Sequence, residues 1–199
     1  MKLAAVILAG GASTRMGYPK ALLEFGGETF LDRLVGIFGL HCDPVIAVLG
    51  HDAERVRQGL RRATEARILI NAAPERGQLS SLQTGLRAAP PDAAVLFTPV
   101  DYPRIEAATV AALAGAFGRP ENRGKVVIPT HEGRRGHPVL VPPEAVRELL
   151  ELPVSANARD VIHRHAGEAV FVPVADAGIV KDVDDPDAYR ALLDPGETR

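Results

Sequence analysis

Short runs that are apolar at every position alternate along the chain with longer stretches in which apolar residues recur every three or four places. Leu3–Leu8, PVIAVLG (44–50), RILIN (67–71) and AAVLFTPVD (93–101) are dense in Val, Ile and Leu, as in strands covered on both faces. Between them lie helical patterns. ETFLDRLVGIF puts Phe30, Leu31, Leu34, Val35 and Phe38 on one stripe, with Thr29 and Asp32 at capping-box spacing. DAERVRQGLRRAT predicts a helix over 52–64 capped by Asp52, and LSSLQTGLRAA one with Leu79, Leu82 and Leu86 on one face. A further helix through Val110, Leu113 and Phe117 precedes the strand KVVIP.

The rhythm changes after that strand. GHPVLV reads as a strand, PPEAVRELLEL as a helix with prolines in its first turn, NARDVIHRH as a helix and AVFVPV as a strand. The closing helix PDAYRALL has Asp185 as cap and Pro186 at its first position. The loop GRPENRG (118–124) reads as a flexible surface excursion. Strands alternating with helices predict a single α/β domain over 1–199: a Rossmann-like three-layer αβα fold with a mostly parallel, mixed sheet. Ligands in such folds bind beyond the carboxyl ends of the strands, so chemistry is sought there.

Composition narrows the field. Apolar residues at 46% support a packed core, and aromatics at 5% with no Trp leave that core to aliphatic side chains. A net charge of −2 with scattered basic residues offers no footprint for nucleic acid and no polybasic membrane patch. The lone cysteine, Cys42, fits a reducing compartment and hence the cytoplasm; it reads as a small buried apolar residue. The run Leu3–Ala9, preceded by one lysine, sits at the lower limit for a secretory signal and is assigned instead to the first strand.

The first strand ends in AGGASTRMGYPK. Gly10 and Gly11 allow a tight turn and close backbone approach. Successive N–H groups in such a turn form an anion-binding concavity. Arg15 adds a planar fork and Lys20 a compact point charge, both suited to phosphate. Neither the P-loop pattern nor the dinucleotide pattern G-x-G-x-x-G is present: Lys20 lies three residues after Gly17, and Ala12 stands at the second glycine. Asp101 emerges from a buried strand, where a carboxylate is costly unless paired. KDVDDPDAY places Asp182, Asp184 and Asp185 before the last helix, with Asp185 better suited to a cap than to a ligand. Two acids brought together from distant segments would hold Mg²⁺, which takes one or two protein carboxylates.

LAGGASTRMGYPKALL resembles the N-terminal signature L-A-[AG]-G-x-S-x-R-M-G-x-x-K of the nucleotidyltransferases that activate sugars and the molybdenum cofactor, and the resemblance extends over nearly the whole chain. It implies the nucleotide-diphospho-sugar transferase fold, with a nucleotide-binding part over about 1–105 and an acceptor side over about 106–194. By the same resemblance Leu8, Ala9, Gly10, Gly11 and Ser13 hold the nucleotide, Arg15 contacts the triphosphate and Lys20 neutralises charge at the α-phosphate. Asp101 matches the metal-holding aspartate of the family's D-x-P motif. DVDDPDAY is similar to D-[IV]-D-T-P-E-D-[LY], where Asp184 completes the metal site and Asp185 and Ala188 depart from the pattern. The segment carrying Gln78, Ser80 and Ser81 lines the base pocket in the family, with Asn71 matching a base contact. GHPVLV resembles the molybdopterin-acting branch, placing Arg134, Arg135 and His137 on the acceptor side.

The resemblance therefore implies a Mg²⁺-dependent enzyme that transfers CMP from CTP to the phosphate of molybdopterin, with contact to a molybdoenzyme or its chaperone. The spelling LAGG is more usual in the guanylyl branch, so GTP stands as the alternative donor. A sugar phosphate or other small phosphorylated acceptor, and a non-catalytic nucleotide-binding module, are the remaining alternatives. An NAD-dependent oxidoreductase would need the missing dinucleotide fingerprint.

Overall fold

The computed structural model describes residues 2–153 and 155–194. Its sheet is built from β1 (Leu3–Ala9), β4 (Val45–Leu49), β5 (Arg67–Ile70), β6 (Ala94–Pro99), β7 (Val127–His131), β9 (Val139–Val141) and β10 (Val170–Pro173), in the order β10-β7-β9-β6-β1-β4-β5. A two-residue strand β8 (Arg134–Arg135) folds back on β7, and β2 (Glu24–Phe25) pairs with β3 (Glu28–Thr29) as a separate small hairpin. Along that order all neighbours are parallel except β9, which runs antiparallel between β6 and β7.

Two-residue periodicity sends alternate side chains to opposite faces, and this makes three layers. Ala5, Ile7, Ala47, Leu49 and Leu96 pack under α1 (Phe30–Gly39), α4 (Ala107–Phe117) and α7 (Pro186–Leu193). Val6, Leu8, Ile46, Val48 and Val95 pack under α3 (Gln78–Ala88), α5 (Pro143–Glu151) and α6 (Ala158–Arg164). β1 is the hub: Ala5 is level with Val45 on one side and Leu96 on the other. The chain leaves β1 toward β4 and β5, then crosses back through α3 to β6. The switch point, where such folds bind ligands, lies at the carboxyl ends of β1, β4 and β6.

Several local expectations are corrected. Helix α2 (Ala53–Gly59) is shorter than 52–64: it ends at Gly59, a poor helix former, and the chain turns extended at Leu60. Asp52 makes no capping bond; it sits in the left-handed region at φ 54°. The Thr29 hydroxyl caps α1 by accepting from the Asp32 N–H and donates to the Asp32 carboxylate, which reaches back to that hydroxyl rather than to the Thr29 amide and also accepts from the Arg61 and Arg62 amides. The 118–124 segment is pinned rather than free: Asn122 is buried and donates to the Ala116 carbonyl. Asp185 caps α7 as expected, accepting from Ala188 N at 2.9 Å.

Candidate active site

A cleft of about 290 Å³ opens at the switch point. Its middle is backbone from the Gly10–Gly11 turn, and packing excludes a side chain at Gly10. A Cβ on Gly10 would meet Ser81 Oγ at 2.8 Å, and one on Gly50 would lie 2.6 Å from the Gly10 carbonyl. The β1 turn, the β4 turn and the start of α3 are thereby locked together.

The segment 13–20 folds onto this floor. Ser13, at φ 49°, accepts through its carbonyl from the Met16 and Gly17 amides, and its Oγ accepts from Lys20 N. Arg55 of α2 stacks over the Tyr18 ring at 4.6 Å. The turn delivers Lys20 at the head of a helical turn spanning Lys20–Leu22. Lys20 Nζ donates to Asp101 Oδ2 at 3.1 Å and to Asp184 Oδ1 at 2.6 Å, while Arg15 donates to Asp184 Oδ2 at 2.8 Å. The four charges foreseen in three separate segments meet at one point.

How Asp184 arrives there was not visible in the sequence. The Val183 amide donates to the Asp101 carbonyl at 2.8 Å, which sets the two acids side by side. Upstream, the buried Asp176 accepts from Glu106 N, Thr109 Oγ1 and Gly178 N, fastening the same strap to the start of α4. Gly136 and Gly178 let it pack against neighbouring backbone where any side chain would collide.

Lys20 is largely buried between the two acids, its side chain 14% exposed. Burial pushes the Asp101 carboxyl above the usual carboxylate range, against the opposing pull of Lys20. Asp184 is shifted the other way, chiefly by its hydrogen bond from Lys20. Asp101 Oδ1 is buried without a hydrogen-bond partner. An orphaned carboxylate oxygen beside a second acid is a hard-oxygen donor set suited to Mg²⁺, which completes its shell with water and substrate phosphates. Among the described residues no cluster of three or more His, Cys, Asp or Glu could hold a metal, so any divalent ion here rests on these two acids.

Of the remaining candidates, Leu8, Ala9, Gln78 and Ser81 line the cleft. Asn71 and Ser80 do not. The Asn71 amide donates to Ser80 Oγ at 2.6 Å and Ser81 Oγ at 3.0 Å, and its Oδ1 accepts from Ala73 N, so it shapes the cleft wall from behind. The serines are not caps either: Gly77, at φ 92°, holds that position. His137 lines a second cavity of about 360 Å³ that shares Leu8, Gly77, Gln78 and Pro99 with the first. Its ring packs 4.8 Å from Tyr102, and burial lowers its pKa to about 4, so it is neutral. Arg134 and Arg135 are exposed on β8 and line neither cavity; Arg135 stacks over Phe171. His51, for which the sequence pattern suggests no role, lines the cleft as well.

A doubly wound sheet whose switch-point cleft joins a glycine turn to paired cations and acids is the architecture of a nucleotide-handling enzyme. The chain belongs to the family of the MobA-like NTP transferase domain, which it matches over residues 5–170. The molybdenum cofactor cytidylyltransferase of Escherichia coli is 27% identical over 184 residues, 92% of either chain. The nicotine blue oxidoreductase of Paenarthrobacter nicotinovorans is 30% identical over 202 residues, covering 94% of this chain and 95% of its own. A solved nucleotidyl transferase from a Methanothermobacter shares the fold, with a TM-score of 0.79 at 21% identity over 96% of this chain and 95% of its own.

Proposed function

We propose that this protein transfers CMP from CTP to the phosphate of molybdopterin and releases pyrophosphate. The observation that carries the reading is Lys20, held between Asp101 and Asp184 at the lip of the glycine turn. In nucleotidyl transfer a phosphate oxygen of the acceptor attacks the α-phosphorus in line, the new P–O bond forms, and the bond to pyrophosphate breaks. The protein's share is placement and charge. Backbone amides of the Gly10–Gly11 turn receive the nucleotide, Lys20 neutralises the α-phosphate, and Arg15 turns from Asp184 to the β- and γ-phosphates. Asp101 and Asp184 would hold Mg²⁺, which shields phosphate charge when bound. The acceptor enters from the second cavity, beside His137. Arg134 and Arg135 stand outside that route. The free thiol of Cys42 suits the cytoplasm, where the product would pass to a molybdoenzyme or its chaperone.

The spelling Leu8–Ala9–Gly10–Gly11 favours one second reading, in which GTP replaces CTP as donor. The oxidoreductase among the relatives means that membership alone does not choose the reaction; Lys20 between two acids beside the glycine turn supports transfer chemistry on a phosphate. Pyrophosphate release with purified molybdopterin and each of the four nucleoside triphosphates, with and without Mg²⁺, tests the proposal. Release with CTP, dependent on metal and acceptor, is the expected result. No release with any of the four, together with metal-independent binding of NAD, overturns it.

A further inference from the structure

One ring in the cleft is not used by the chemistry just described. His51 stands two residues beyond β4, as Asp101 stands two residues beyond β6, and the Gly10–Gly11 turn lies between them at the end of β1. The registers put all three at one level, since Leu8 is opposite Pro99 and Ala9 opposite Leu49. Neighbouring strands are about 4.8 Å apart, so the two flanks are separated by about 10 Å. That is the reach from the α-phosphate of a nucleotide to the far edge of its base. With the phosphates held at Lys20, on the Asp101 flank, the base is directed across the glycine turn toward the β4 flank, where His51, Val56 and Pro74 form the wall.

The backbone there is built to present the ring. His51 N donates to the Gly10 carbonyl at 3.3 Å, Gly50 is too crowded for any side chain, and Asp52 is held left-handed at φ 54° without a capping role. A non-glycine residue kept in that region is over-determined by its surroundings, and such positions cluster at ligand clamps. The His51 side chain is exposed, and among the described residues its ring has no hydrogen-bond or ion-pair partner. We infer that His51 reads the nucleobase and sets the preference between pyrimidine and purine triphosphates. A neutral imidazole offers one donor and one acceptor in a single plane. A cytosine edge and a guanine edge present different patterns to it, and the purine reaches further toward β4. This inference rests on the nucleotidyl-transfer reading of the same cleft.

The test compares wild type with His51→Ala and His51→Gln, measuring KM and kcat of pyrophosphate release with CTP and with GTP, and dissociation constants for both nucleotides by calorimetry. The expected result is a shift of about tenfold in the CTP-to-GTP ratio of kcat/KM for His51→Ala, the scale of one lost hydrogen bond. The shift falls in KM and in the calorimetric constants, and His51→Gln, which keeps a planar donor and acceptor, recovers part of it. A packing residue would lower both nucleotides in parallel along with the melting temperature, so a parallel loss overturns the inference, as does an unchanged ratio. Wild-type protein that uses neither nucleotide fails the broader reading instead, and the two failures are distinct.

Discussion

Replacing Lys20 by Ala removes the one cation that touches both acids, and the structure makes this a stability experiment as well as a kinetic one. The Lys20–Asp101 pair is largely buried, with side chains 14% and 20% exposed, so it is treated as a charged hydrogen bond of about 1.5–3 kcal/mol. The Lys20–Asp184 pair opens to solvent on the acid's side, 37% exposed, and is discounted to about 0.5–1 kcal/mol. Together they set a loss of about 2–4 kcal/mol at pH 7, or about 9 °C of melting temperature for a chain of this length. Burial already raises the Asp101 pKa, and removing Lys20 raises it further. The folded state then holds a proton that the unfolded chain releases near pH 4. Stability therefore falls as pH rises through the window between those two values. Asp184, whose pKa Lys20 holds down, loses that stabilisation over the range above about pH 4. Both effects have one sign: the variant's deficit is large at pH 7 and shrinks toward pH 4. Urea melts at the two pH values measure this. Adding Asp101→Asn to Lys20→Ala removes the stranded carboxylate and returns at least about 1 kcal/mol, without restoring turnover, which stays about 10²–10³-fold down. A single variant that melts like wild type at pH 7, or a double variant with no recovery, refutes the placement of Lys20 between two acids.

Other consequences are as direct. Asp101→Asn alone should lower pyrophosphate release by about 10²–10³-fold while changing stability by no more than about 1 kcal/mol, because an amide oxygen still accepts from Lys20 and the carboxylate it replaces was only half satisfied; full activity would remove Asp101 from the site. Gly85→Ala should destabilise by about 1–3 kcal/mol despite the better helix former, since its Cβ would stand 2.5 Å from Val6 and 3.1 Å from Val48 in the packed layer between α3 and the sheet; denaturant melts decide. Cys42, buried with its thiol pushed up to about 12, should react with a disulfide reagent at pH 8 only on unfolding; prompt labelling of the native protein contradicts its place in the core.

The strands and helices were legible because each repeats its pattern over a turn or more: β1 is buried at six of seven positions, and the Phe30–Phe38 stripe faces the core as its spacing required. Short or single-residue features were not. Asp52 looks like a cap from its type alone, but the crowding of Gly50 against Gly10 turns the chain left-handed before a cap can form. Ser80 and Ser81 occupy cap-like positions, yet Gly77 starts α3 one turn early and frees both hydroxyls for Asn71. The burial of Lys20 is not legible either, because it depends on acids 81 and 164 positions away. Arg134 and Arg135 sit in the segment that resembled an acceptor signature, but the β7–β8 hairpin turns them outward.

The cleft separates two tasks that sequence runs together. The glycine turn carries no side chain into its centre, so everything specific comes from the flanks. On the β6 flank Lys20, Arg15, Asp101 and Asp184 form a single network, in which changing any one charge alters the pairing of the others. On the β4 flank His51 is joined to the floor only through its backbone, and its side chain is free to vary without disturbing the charges. Such a division lets one scaffold keep its phosphate chemistry while its choice of base drifts.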